Sequence, residues 1–77
     1  MNNLAKKADS LPLYNECLWI VANKQYKTVD GVRIDLTSAS LFLAVRNSLN
    51  EKNKEYIDSL SVEKAIELAY KVAHKFS

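Results

Sequence analysis

The residues that could do chemistry in this chain are few, and their spacing does not assemble a reaction. Cys17 is the only cysteine and His74 the only histidine. A nucleophilic thiol needs a lowered pKa, supplied by a cation, an imidazole or a helix N-terminus. Cys17 instead stands between Glu16 and Leu18 in an apolar stretch, and reads as a small buried hydrophobe. A catalytic imidazole wants a nucleophile on one side and an orienting carboxylate on the other. His74 lies at the end of a helical pattern, where the macrodipole favours a positive charge, and nothing in the sequence pairs it with Cys17.

Glu63, Glu67 and His74 fall near one helical face, at spacings of four and seven. That is a thin basis for a metal site, because no ligand motif accompanies it and a zinc site would need several Cys or His. Gly31 is the one glycine, so glycine-based phosphate cradles are excluded. The expectation is no catalytic residue, no metal, no cofactor and no enzyme.

Binding residues are easier to find. Trp19 shares a helical face with Asn15, Glu16 and Asn23. A tryptophan among polar residues is costly to expose and common at binding hot spots. The competing reading packs it under a neighbouring segment. Ile20 widens the apolar arc, and Tyr26 follows soon after, so Trp19, Ile20 and Tyr26 are the candidate partner-binding residues. A second candidate set is Lys24, Lys27, Thr28 and Arg33, which gather around a β-ribbon and could touch phosphates of a nucleic acid. Asp30 and Asp35 in the same stretch weaken that reading.

These residues must be positioned by short elements. Ser10 and Pro12 suit a helix start, and a helix over about 11–24 would carry the stripe Leu11, Tyr14, Leu18 and Val21, with Cys17 beside it. Val29-Asp30-Gly31-Val32 is the clearest local signal. Asp-Gly tolerates the positive φ of a type I′ turn, which pairs Val29 with Val32, Thr28 with Arg33 and Lys27 with Ile34. Val32, Ile34 and Leu36 would then share the core face.

Thr37 or Ser38 could cap a second helix with the stripe Leu41, Phe42, Val45 and Leu49. Asn50 and Asn53 favour a break into two helices over one long helix across 38–59. Ser61 caps a last helix, whose stripe is Val62, Ala65, Ile66, Ala69, Val72, Ala73 and Phe76. The expected core is Tyr14, Leu18, Val21, Ile34, Leu36, Phe42, Val45, Leu49, Ile57, Ile66, Ala69, Val72 and Phe76.

The expected fold class is therefore α+β and helix-dominated, with three or four short helices and one β-hairpin after the first helix. Residues 1–9 read as a flexible segment and 10–77 as a single small globular domain. A chain of 77 residues with one cysteine cannot staple itself, so a second copy is an attractive source of buried surface. The net charge of +2 does not demand a polyanion. The start, Met1 to Ser10, is polar and lacks the apolar region of a signal peptide, no apolar stretch approaches the length of a membrane span, and a lone thiol fits a reducing compartment, so a cytoplasmic location with no membrane partner is expected. The function expected is a small protein–protein interaction module acting as a homodimer and on an unknown protein. The alternative is a nucleic-acid-binding regulator that uses the hairpin.

Overall fold

The computed structural model of the protein describes residues 12–75. Their order is α1 (Pro12–Asn23), β1 (Lys27–Val29), β2 (Val32–Ile34), α2 (Leu36–Ser48), α3 (Glu51–Ser59) and α4 (Val62–Lys75). This is a helix-dominated α+β fold with its hairpin after the first helix. Among the described residues, no helix is long and apolar enough to cross a membrane. The expected cap at Ser10, the segment 1–9 and the expected core residue Phe76 lie outside the described residues.

Helix α1 ends by a left-handed residue. Lys24 has φ 54°, and the Gln25 N–H donates to the Ile20 carbonyl at 3.3 Å, the longer of the two bonds of a Schellman ending. Glycine is the usual occupant of such a position because a Cβ is strained there. Lys24→Gly should therefore raise stability by about 0.5 kcal/mol, read as the midpoint of urea unfolding at unchanged slope.

The hairpin follows as expected. Lys27 pairs with Ile34, Thr28 with Arg33 and Val29 with Val32. Asp30 and Gly31 carry φ of 51° and 78°, both in the left-handed region that the turn requires. Val29 and Ile34 point into the core, while Thr28 and Arg33 face outward.

Strand β2 stops at Ile34, earlier than the alternation suggests. Asp35, rather than Thr37 or Ser38, caps α2: the Ser38 N–H donates to Asp35 Oδ1 at 2.8 Å. That hydrogen bond holds the Asp35 carboxyl below the usual aspartate range, so the cap stays charged until the pH falls below that range. Leu36 consequently opens α2 and is 41% exposed, not a core residue. Helices α2 and α3 are separate. Asn50 caps α3 by accepting the Asn53 N–H at 2.8 Å, and both asparagines thereby find a use at the break. Ser61 caps α4, its Oγ accepting from the Lys64 N–H at 3.3 Å.

Helix α2 is the centre of the packing, with α1 and α4 against it, the hairpin on α1, and α3 touching both α2 and α4. Phe42 at its middle is fully buried, among Cys17 and Ile20 of α1, Ile34 of β2 and Ile57 of α3. Ala39, Ala65 and Ala69 are also buried, which lets α2 and α4 approach closely. Tyr14, Val21, Leu49, Ile66 and Val72 of the expected core are only partly buried. Leu18 is 43% exposed and leaves the core altogether. The buried stripe of α1 is Leu13, Cys17 and Ile20, about a quarter-turn away from the expected one.

Three elements are tied by one polar cluster. Arg46 of α2 donates from Nε and Nη2 to both carboxylate oxygens of Asp58 on α3, at 2.8 and 2.6 Å. Its guanidinium also lies 4.3 Å over the Tyr14 ring of α1.

Candidate interaction surface

The exposed side of α1 is bracketed by two large apolar side chains. Leu18 is 43% exposed and Trp19 41% exposed, and they stand about 100° apart on the helix with Asn15 and Ala22 between them. The core contact is made by the other face, through Leu13, Cys17 and Ile20.

The hairpin fixes Trp19 from one side. Lys27, the first residue of β1, places its Nζ 4.9 Å from the centre of the indole ring. The same ammonium pairs with Glu16 Oε1 at 2.8 Å. Glu16 lies one residue short of a full turn before Trp19, so cation, carboxylate and indole form one cluster on the surface. The Trp19 carbonyl accepts from Asn23 Nδ2 at 2.8 Å, which braces the last turn of the helix. An ion pair this exposed contributes at most about 1 kcal/mol, but together with the ring contact it restricts the rotamers of Trp19 and Lys27.

Tyr26 and Arg33 form a second exposed pair, the guanidinium 4.0 Å over the phenol ring. Tyr26 is 58% exposed. Thr28 stands beside Arg33 across the ribbon, and Lys24 is exposed at the end of α1. Of the expected partner-binding residues, Trp19 and Tyr26 are thus at the surface. Ile20 is not: it is fully buried, because the packed face of α1 is rotated toward it. Of the basic set, Lys24, Thr28 and Arg33 are exposed, while Lys27 is engaged by Glu16 and Trp19.

Leu18 and Glu16 were not expected at the site. Leu18 could have been found from the width of the arc, since Leu13, Cys17, Leu18, Ile20 and Val21 are too many for one packed face. The pairing of Glu16 with Lys27 needs the hairpin folded back on α1 and leaves no local sequence signal.

Cys17 lies behind this surface, fully buried. Burial, reinforced by the neighbouring Glu16 carboxylate, pushes its thiol from an ordinary 9.0 up to about 12. In the unfolded chain the thiol ionises from about pH 9, while the folded chain keeps its proton. This group therefore leaves stability untouched well below pH 9 and lowers it as the pH rises from about 9 toward about 12. Urea unfolding at pH 8 and pH 10 should show a larger loss for the wild-type chain than for Cys17→Ala. Among the described residues, no three His, Cys, Asp or Glu side chains come together as a metal could use them. No buried side-chain nitrogen or oxygen among them lacks a partner. Comparison of the chain with protein-family models, with curated proteins and with solved structures gave no match.

Proposed function

We propose that this protein is a small non-enzymatic interaction module that acts as a homodimer and presents Trp19 to another protein. The observation that carries this reading is the placement of Trp19: close to half of its surface faces solvent while Lys27 and Glu16 hold it in position. A pre-positioned aromatic side chain gives up little rotamer entropy when a partner covers it, which is why such residues become hot spots. Leu18 and Ala22 extend the apolar contact along the same exposed side of α1. The protonated, buried thiol of Cys17 supports a binding role over nucleophilic chemistry. A cytoplasmic setting belongs to the same reading, on the strength of that reduced thiol.

The second reading, nucleic-acid binding, has one observation in its favour. Arg33 stacked on exposed Tyr26, with Thr28 and Lys24 at hand, is a platform on which a base could stack. Fluorescence anisotropy separates the two. Titration into labelled duplex DNA and single-stranded RNA at two salt concentrations should show no micromolar affinity. Binding that weakens steeply with salt, and that Arg33→Glu abolishes without unfolding the chain, would replace the protein-binding reading.

A further inference from the structure

Helix α4 carries four exposed charges on a single i,i+4 row: Glu63, Glu67, Lys71 and Lys75. Within one helix this row is poorly arranged. Glu63–Glu67 and Lys71–Lys75 are like-charge neighbours, and only Glu67–Lys71 attracts. The macrodipole favours acids first and bases last, but it does not ask that all four share a row. Read in reverse, the row is its own complement. An antiparallel second copy would set Glu63 against Lys75 and Glu67 against Lys71, each pair occurring twice by two-fold symmetry. Lys64 stands about 100° round the helix from Glu63, on a neighbouring row.

Apolar surface lies beside the charges. Leu36, Leu41, Tyr70 and Ala73 line an open groove of about 790 Å³ between the start of α2 and the end of α4. Leu36 is 41% and Tyr70 44% exposed. Tyr70 and His74 also border a second hollow on the side of Glu67, Lys71 and Lys75, so the two side chains together stand as a ridge between two depressions. A 2.7 Å hydrogen bond between the Tyr70 hydroxyl and Ser38 Oγ holds the ring in place.

We propose that a second copy of this chain docks on this face, α4 antiparallel to α4, with Tyr70 of each copy seated in the groove of the other. This deepens the homodimer reading above by naming its surface, and it rests on that reading. The ridge and groove supply the shape and the apolar contact; the Glu-Glu-Lys-Lys row sets the direction of pairing. Trp19, on α1, then remains available to a different partner.

Sedimentation equilibrium on the full chain tests this with Glu67→Lys, Lys71→Glu and the double variant, circular dichroism confirming that each is folded. Each single exchange places like charges opposite each other at both symmetry-related positions and should weaken the dimer at least roughly tenfold, whereas the double exchange restores opposite charges and should recover the wild-type affinity to within about threefold. Tyr70→Ala should weaken the dimer by a similar factor to the single exchanges. A wild-type dimer indifferent to all three charge variants would overturn this surface while leaving the homodimer reading in place. A double variant that fails to recover would overturn the antiparallel register. A wild-type chain that stays monomeric at millimolar concentration would overturn both the surface and the homodimer, and the groove would then be open to another protein.

Discussion

Replacing Asp58 with alanine should cost the fold about 3 kcal/mol, enough to lower the melting temperature of a domain this small by roughly 12–24 °C. Asp58 accepts two hydrogen bonds from Arg46, and the side chains of the pair are only 14% and 12% exposed. Removing the carboxylate leaves a guanidinium largely buried against Tyr14 with no counter-charge. Arginine is too basic to escape by losing its proton even without that partner. The penalty is that of an uncompensated charge, not the net worth of the pair. The double replacement Arg46→Met with Asp58→Leu should therefore be less damaging than Asp58→Ala alone. Thermal melts of the single and double variants check both statements.

Ile20→Ala should cost about 3 kcal/mol, whereas Leu18→Ala should cost less than about 1 kcal/mol. Ile20 is fully buried and Leu18 is 43% exposed, although the two stand two residues apart on the same helix. Urea unfolding of the two variants compares a cavity in the core with a trimmed surface side chain. Equal losses would mean that α1 presents a different face to α2.

That contrast also marks where the sequence was hard to read. Helix α1 is apolar around much of its circumference, so a stripe through Tyr14, Leu18 and Val21 and one through Leu13, Cys17 and Ile20 are both available to pattern alone. Tertiary contact chooses between them. Tyr14 is drawn to the edge by Arg46, and the hairpin covers the side on which Ile20 lies. Where local chemistry decides, the reading was sharp. The Asp-Gly turn set the register of the hairpin, and asparagine at 50 marked the break between α2 and α3. Asp35 continues the strand alternation and is also a strong helix cap, and in the fold the cap prevails.

The candidate site was legible in part for the same reason. Trp19 announced itself by standing among polar residues, and Tyr26 and Arg33 by flanking the ribbon. Glu16 holding Lys27 over the indole spans 11 residues and a reversal of the chain, so it belongs to the fold and not to any local pattern. It also changes the meaning of Lys27. A lysine already paired to a carboxylate and an aromatic ring has less to offer a phosphate.

The most direct measurement is site-specific photo-crosslinking in the native cell, with a benzophenone side chain in place of exposed Asn15, between Leu18 and Trp19 on α1, and, as a control, in place of exposed Glu55 on α3. A discrete protein adduct should form from position 15 and be absent from position 55. Excess wild-type chain should compete it away, and Trp19→Ala chain of equal stability should not. Adducts of equal yield at both positions, or competition by Trp19→Ala as effective as by the wild type, would contradict the proposed role of Trp19.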